Sequence, residues 1–374
     1  MVTSKGKKYF LIAGETSGDI HGAKLILAIK KIKPDSLFLG HGGDKMKNAG
    51  MELLEHTNTL SIMGFAEVIR HFPRMLKILN KTIIKIKEYE PDRIVLIDYP
   101  GFNLRLAKKI SHLNIPITYF ILPQTWAWGK KRIKLMKETL DQAICIFPFE
   151  KEWYLSQGMV VDFIGHPFID AARNENNSNN LIDGQKLNED SPSLLLLPGS
   201  RQQEVNAHWE ILLETVSKLK RIIKNLVVIV TPSPGVIIPN APHDFVIEPS
   251  IKNAIQHSTA AIVSSGTATL ECAVHNLPIV VCYKVSNISW YFAKFLSDIK
   301  FVSMVNLIAN KEIVKEHLQD NMNAKNLINT IKPLLNVQSK ERKKMLSEFD
   351  KIKYKLGKAG VYDRAAKIVA CGKQ

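Results

Sequence analysis

Short apolar runs that stop at a turn residue and give way to a helical pattern recur along the chain. They restrict it to parallel sheets covered by helices. Tyr9–Ala13 stops at Gly14 and is followed, past Gly18, by the amphipathic stretch Ala23–Ile32. Leu37–Leu39 stops at Gly40-His41-Gly42-Gly43, Ile94–Ile97 at Asp98, and Ile117–Leu122 at Pro123. Ile144–Phe147 and Phe163–Ile164 close this half, and Gly165-His166-Pro167 leads out of it. Residues 174–193 are polar and Asn-rich and read as a linker. The same grammar then restarts. Leu194–Leu197 runs into Pro198-Gly199-Ser200-Arg201, a helical pattern covers Trp209–Ile223, and Leu226–Val230 follows. Ala260–Val263 leads into Ser264-Ser265-Gly266-Thr267, a helix Ala268–Val274 and the run Ile279–Tyr283. Two Rossmann-like halves are the expected result, with ligands at the carboxyl ends of their strands.

A chain of 374 residues suits two domains, and 45% hydrophobic with 23% charged residues excludes disordered, collagenous and coiled-coil classes. The longest apolar runs fall far short of the roughly 18 residues of a membrane span. Tyr9–Ala13 is too short for a secretory core, so the protein is expected to stay where it is made. Cys145, Cys272, Cys282 and Cys371 are far apart, which suggests reduced cytosolic thiols rather than a zinc site or disulfides. The net charge of +16 favours a polyanionic partner: nucleic acid, a phosphorylated substrate or an anionic membrane. With no RRM, KH or helix-turn-helix signature, nucleic acid is not expected.

The strand-to-helix turns carry the chemistry. Ser264–Thr267 places small residues where a helix start can hold a phosphate, and Glu271, one turn on, suits a ribose diol; an ordinary N-cap reads equally well. Pro198–Arg201 offers a guanidinium fork for phosphate oxygens. Neither a Walker A loop nor G-x-G-x-x-G occurs, so ATP hydrolysis and NAD chemistry recede. In the first half, Gly14–Asp19 could clamp sugar hydroxyls, and Asp98 stands where a carboxylate could take a proton from a hydroxyl nucleophile. His41, His166 and His257 read as capping or core residues. With no D-x-D pair and no His/Asp cluster, no metal is expected. Trp126 and Trp128 suit sugar stacking, acyl contact or burial alike.

The loops resemble one family: lipid-A-disaccharide synthase, a glycosyltransferase of Gram-negative outer-membrane lipid biosynthesis. The matching strings are AGETSGDIHGAKLI (13–26), LSIMGFAEVI (60–69), PDRIVLIDYPGFNLRLA (91–107), PQTWAWGKKRI (123–133), FPFEKEWY (147–154), FIGHP (163–167), LLPGSRQQEV (196–205), SSGTATLECA (264–273) and VNLIANKEIVKEHLQ (305–319). The resemblance implies an α/β fold of GT-B type, two Rossmann-like domains facing a cleft. It divides the chain into an acceptor-binding domain 1–173, the linker 174–193, a UDP-sugar-binding domain 194–350 and a segment 351–374, of which about Tyr354–Ala370 packs back on the first domain. The implied reaction joins UDP-2,3-diacylglucosamine to 2,3-diacylglucosamine 1-phosphate (lipid X), with inversion, to give lipid A disaccharide 1-phosphate and UDP. Another GT-B UDP-sugar enzyme, a different glycosyltransferase or a UDP-N-acetylglucosamine epimerase, is the alternative.

In that frame Asp98 is the general base, and Glu15 and Ser17 position the acceptor. Ser200, Arg201, Ser265, Gly266, Thr267, Glu271 and Asn306 bind the UDP-sugar, with no cofactor and no metal. Two departures stand out. Family members carry Asp-Ala-Pro-Asp-Phe-Asn where this chain has Asp98-Tyr99-Pro100-Gly101-Phe102-Asn103, which removes a second carboxylate at 101. Met304-Val305-Asn306 stands in place of Leu-Pro-Asn. The implied location is cytoplasmic, peripheral on the inner face of the inner membrane; a homodimer is left open. Phe65–Lys87, an apolar stripe flanked by basic residues and expected to break at Pro73, reads equally as a core-facing helix with a solvated basic side and as the first docking candidate; Trp290-Tyr291-Phe292 with Phe295 is the second.

Overall fold

The structure is a computed structural model that describes residues 6–60, 65–127, 129–173, 191–285 and 300–372, with the backbone alone for 65–72 and 173. The chain forms two compact units. One comprises residues up to Pro167 together with those from Gly357 onward; the other runs from Phe168 to Leu356.

The first unit is built on seven parallel strands: β1 (Lys8–Ala13), β2 (Leu37–Gly42), β3 (Glu52–His56), β4 (Arg93–Ile97), β5 (Ile117–Phe120), β6 (Gln142–Cys145) and β7 (Asp162–Phe163). Their order is β3-β2-β1-β4-β5-β6-β7. β1 and β4 are in register, Ala13 beside Ile97. Phe10 to Ala13 and Ile94 to Ile97 are completely buried, because helices cover both faces of a parallel sheet. That is why the central strands are unbroken apolar runs. The edge strand β3, with the sequence Glu-Leu-Leu-Glu-His, has one partner only and lacks that signature.

The second unit repeats the plan with β8 (Ser193–Leu197), β9 (Val227–Val230), β10 (Phe245–Ile247), β11 (Ala260–Ser264), β12 (Ile279–Tyr283) and β13 (Glu316–Leu318), all parallel, in the order β10-β9-β8-β11-β12-β13. β10 and β13, three residues each, are again edge strands; β10 is apolar but very short, and β13 is mixed in composition.

The helices begin earlier than periodicity suggests. The helix expected over Ala23–Ile32 starts at Thr16, and the one expected from Trp209 starts at Gln202. Asp19, 5% exposed, fixes the first of them: its carboxylate accepts the backbone N–H groups of Gly43 (2.7 Å), Lys45 (3.1 Å) and Met46 (2.9 Å), capping the next helix, Asp44–Asn48. Asp19 is therefore a structural cap within the Gly14–Asp19 turn. His41 is a core residue, its Nε2 3.0 Å from Thr82 Oγ1, and His257 caps the C-terminus of the Ile251–Gln256 helix, its Nδ1 2.9 Å from Asn253 O.

Two expectations for the long helix are corrected. It runs unbroken from Phe65 to Tyr89, straight through Pro73. Pro73 removes one intrahelical hydrogen bond, but Leu79 and Ile86, packed in the core at 3% and 0% exposure, hold the helix to the sheet. Those two residues belong to the apolar stripe, so its later half faces the core rather than a membrane.

The C-terminal boundary also moves. Residues 351–355 belong to the second unit's helix Lys340–Lys355, where Tyr354 is 89% exposed; the first unit resumes at Gly357. From there the Val361–Cys371 helix packs on Thr16–Ile32. Tyr362 OH lies 2.8 Å from His21 Nδ1, Gln142 Nε2 donates to Ile368 O at 3.0 Å, and the Arg364 guanidinium donates twice to Ile164 O at 2.7 and 2.9 Å.

Candidate active site

In each sheet the strand order reverses at one place, and the loops leaving the two strands there diverge to opposite faces and leave a crevice. The reversal falls between β1 and β4 in the first unit and between β8 and β11 in the second. Glu15, Ser17 and Asp98 leave the first pair. Ser200, Arg201, Ser265, Gly266 and Thr267 leave the second.

Asp98 ends β4 with φ 45°, and Tyr99 follows with φ 49°; consecutive left-handed non-glycine residues are costly and persist only when their surroundings impose them. Here the imposition is visible. The carbonyl of Asp98 accepts the Tyr119 hydroxyl at 2.5 Å and the Asn103 amide at 2.7 Å, while its N–H donates to Phe120 O at 3.1 Å. Tyr99 OH donates to Leu60 O at 3.0 Å, and Pro100 opens the helix Pro100–Ile110. The backbone of Asp98 is thus fully engaged. Burial pushes its carboxyl up from the ordinary range to about 6, the charge of Glu15 adds to this, and the Tyr99 N–H opposes it.

Glu15 is the exposed N-cap of the Thr16–Ile32 helix, and its side chain makes no capping hydrogen bond; Ser17 is exposed in the first turn. The departure at 101 has a clear setting. A Cβ at Gly101 would meet nothing within 4 Å, so a side chain at this position would have open space around its base.

Other ionisable groups lie on the elements that follow β1, β6 and β7, and among them His166, 4% exposed, is a core residue. Glu150, 1% exposed, accepts the Trp126 indole N–H at 3.1 Å and the Phe147 N–H at 3.2 Å. Burial pushes its carboxyl up to about 7. His21 and His166 are pushed down by burial, to about 4 and about 3, with Lys24 adding to the effect on His21 and any protonation of His21 adding to that on His166, so both rings are neutral at pH 7. Glu150 lies in the string FPFEKEWY, three residues past Phe147 in a capping-box position, and neither feature marks its pairing with Trp126. Trp128 lies outside the described residues.

In the second unit, Gly199 (φ 150°) and Gly266 (φ 147°) hold the same left-handed backbone just before two helix starts, Gln202–Ile222 and Thr267–Val274. Arg201 is the exposed N-cap of the first. Glu204 reaches back to the Ser200 N–H at 2.9 Å, shaping the turn that presents Arg201. His208 ties the β8 and β12 loops together: its Nδ1 lies 2.7 Å from Pro198 O, and its Nε2 accepts the Lys284 N–H at 2.9 Å. Burial depresses its basicity, consistent with that neutral form.

At the second helix start, Thr267 is exposed and Gly266 has open space around its Cβ position, while the Ser265 hydroxyl donates to Val302 O at 2.8 Å. The Ser265 N–H donates to Cys282 O at 3.3 Å, so both its hydroxyl and its N–H serve the fold and it differs from its expected role as a nucleotide ligand. Glu271 lies one turn in, half-buried, without a hydrogen-bond partner for its carboxylate among the described residues, and burial raises its pKa.

Asn306 differs from its expected role. It is completely buried, its Oδ1 accepts the N–H groups of Ile313 (2.7 Å) and Val314 (3.0 Å), and its Nδ2 donates to Val314 O and Glu316 Oε1, each at 2.8 Å. With its amide committed to the chain it organises a loop and is not a direct nucleotide ligand here. Among the described residues no cluster of three His, Cys, Asp or Glu is placed to hold a metal ion.

A model of the lipid-A-disaccharide synthetase family matches residues 9–370. A lipid-A-disaccharide synthase of Myxococcus xanthus is 32% identical over 370 residues, covering 97% of this chain and 96% of that protein. Among solved structures, the glycosyltransferase of kitacinnamycin superposes with a TM-score of 0.66 at 11% identity, covering 98% and 99% of the two chains. A UDP-GlcNAc 2-epimerase from Neisseria meningitidis bound to UDP-GlcNAc does so at 0.64 and 13%, covering 97% and 98%. At such identities the structures speak for the fold alone, α/β of GT-B type. The extent of the family match and the full-length relative decide the rest: this chain belongs to the lipid-A-disaccharide synthase family, glycosyltransferases of lipid A biosynthesis.

Proposed function

We propose that the chain transfers the sugar of UDP-2,3-diacylglucosamine to the 6-hydroxyl of 2,3-diacylglucosamine 1-phosphate, with inversion, releasing UDP. Asp98 carries the reading: a half-buried strand-end carboxyl, poised near neutrality, whose backbone is held by three hydrogen bonds. As the acceptor oxygen attacks the anomeric carbon, Asp98 takes its proton and the bond to the UDP oxygen breaks. Glu15 and Ser17 orient the acceptor. The leaving diphosphate is met by Arg201 and the N-terminus of the Thr267–Val274 helix, and Glu271 holds the ribose. These charges stand in for a metal in this reading, and no cofactor takes part.

Because the base is active when ionised and its pKa is raised to about 6, turnover holds above that pH and falls about tenfold per unit below it. Asp98→Asn keeps the shape and removes the basicity. Turnover should drop about 10²–10⁴-fold with UDP affinity unchanged, and the acid limb should vanish; near-normal turnover in this variant removes Asp98 from the role.

The nucleotide site is tested separately. Arg201→Ala should weaken UDP binding and slow transfer together, and Glu271→Gln should act mainly on binding, both read by titration calorimetry with UDP. Unchanged UDP affinity in both variants places the nucleotide elsewhere.

The substrates carry acyl chains, so we also place the protein on the inner face of the inner membrane, docked without spanning; among the described residues no helix is long and apolar enough to cross a bilayer. The supporting feature is a groove of about 580 Å³ beside the Phe65–Tyr89 helix, lined by Lys77, Lys81, Lys85 and Glu88 with Leu54 and Ile84; Lys81 pairs with Glu55 and Lys85 with Glu88, and the three lysines still outnumber the one lining carboxylate. Ile84 is 58% exposed. Each such cation adds about 1 kcal/mol of attraction to an anionic surface. Trp290–Phe295 and the side chains of 65–72 lie outside the described residues. In vesicle sedimentation, binding should rise with anionic lipid, fall with salt, and weaken when Arg74, Lys77 and Lys81 are changed to Glu. Equal binding to neutral and anionic vesicles would contradict electrostatic docking.

A further inference from the structure

The Pro148–Ser156 helix begins just past β6, and two of its side chains reach the loop that follows β5. Glu150 takes the Trp126 N–H on one carboxylate oxygen and the Phe147 N–H on the other. Tyr154, completely buried, donates to Pro123 O at 2.6 Å and accepts the Thr125 hydroxyl at 2.8 Å. One helix therefore holds the loop 123–127 at both ends. Trp126 remains half-buried, edge-on to Phe149 with ring centroids 5.0 Å apart.

A carboxylate is an expensive way to fill a buried space, since an apolar side chain of similar size avoids the desolvation cost. What it adds is direction. An indole packed only by its faces can rotate or slide, whereas one whose N–H is claimed by a fixed acceptor presents one plane. The loop it sits on follows β5, the strand paired with β4, with Phe120 in register with Ile97, the residue before Asp98.

We propose that Glu150 is a positioning residue for the acceptor: by holding the Trp126 N–H it fixes the indole as a wall that sets the acylated sugar beside Asp98. This rests on the reading of Asp98 as the base. Glu150 itself touches no reacting atom.

The hold has a built-in sensitivity to pH. Burial is the chief cause of the raised carboxyl of Glu150, the N–H groups of Phe147, Trp126 and Ile146 restrain it, and the charge of Asp98 raises it further. Around it stand Asp98 at the end of β4, Cys145 on β6 and Tyr154 on its own helix, none of them a cation. When Glu150 takes up a proton, one oxygen becomes an O–H facing an N–H donor, and one hydrogen bond is lost.

The test follows the Trp126 indole N–H resonance in the intact ¹⁵N-labelled chain, identified by its absence in Trp126→Phe. It should titrate with a midpoint near 7, and that titration should disappear in Glu150→Gln, whose amide cannot ionise. In steady state, Glu150→Gln and Trp126→Phe should each raise the acceptor KM about tenfold, the scale of one lost charge-assisted hydrogen bond. kcat should change less and UDP affinity not at all, and the double variant should be no worse than either single one. A titration that persists in Glu150→Gln, or an unchanged acceptor KM in Trp126→Phe, overturns the proposal. If Glu150→Gln does not fold, Trp126→Phe alone decides it. The resonance needs no substrate, so normal turnover in Asp98→Asn beside a normal Trp126 titration would fail the base assignment and not the hold.

Discussion

Parallel pairing of β1 with β4, and of β8 with β11, is the constraint from which the site follows. Both pairings join strands that are not consecutive, so the helices after β1 and β8 cover one face of the sheet and those after β4 and β11 the other. The turns between are left facing a gap, with helix N-termini directed into it. Each unit thus carries its strand-to-helix turns at the equivalent topological position of its own sheet. The two units differ in what they place there: carboxylates at β1 and β4, glycines and an arginine at β8 and β11.

Asp98 gains its character from burial. In open water Asp98 would be a weak base; at the strand end, with the charge of Glu15 nearby, its carboxyl is tuned toward neutrality. The cost of two left-handed residues and a desolvated acid is offset by Tyr119, Asn103 and the Phe120 carbonyl, which hold the backbone and leave the carboxyl outside their network. The second unit works by the opposite sign. Glu204 and His208 are used up inside the protein to fix the turn, and Arg201 is left at the surface.

How far this could be read from sequence depends on what each residue faces. β1, β4, β8 and β11 are buried on both sides and announce themselves as apolar runs; β3 and β13 have one neighbour and mixed composition, and β10, though apolar, is only three residues long. Pro73 looked like a helix end because local rules weigh the lost hydrogen bond, while the packing of Leu79 and Ile86 that outweighs it is tertiary. Asp98, Glu15, Arg201 and Gly266 were legible as strand-to-helix turn residues, because the end of an apolar run marks the turn. Asn306 was recognisable by resemblance, yet its amide serves residues 313–316, a contact no spacing reveals. Glu150 lay in a recognised string, but its partner Trp126 is a loop away in sequence.

The central claim is that this chain joins two acylated glucosamines with Asp98 as the base. Incubation of the protein with UDP-2,3-diacylglucosamine and 2,3-diacylglucosamine 1-phosphate, with the product analysed by mass and by the anomeric proton coupling, tests it most directly. The account predicts a tetraacylated disaccharide 1-phosphate with a β-1′,6 linkage and one UDP released per linkage. An α linkage, a product epimerised at C2 with no disaccharide, or UDP released without the acceptor being consumed would contradict it.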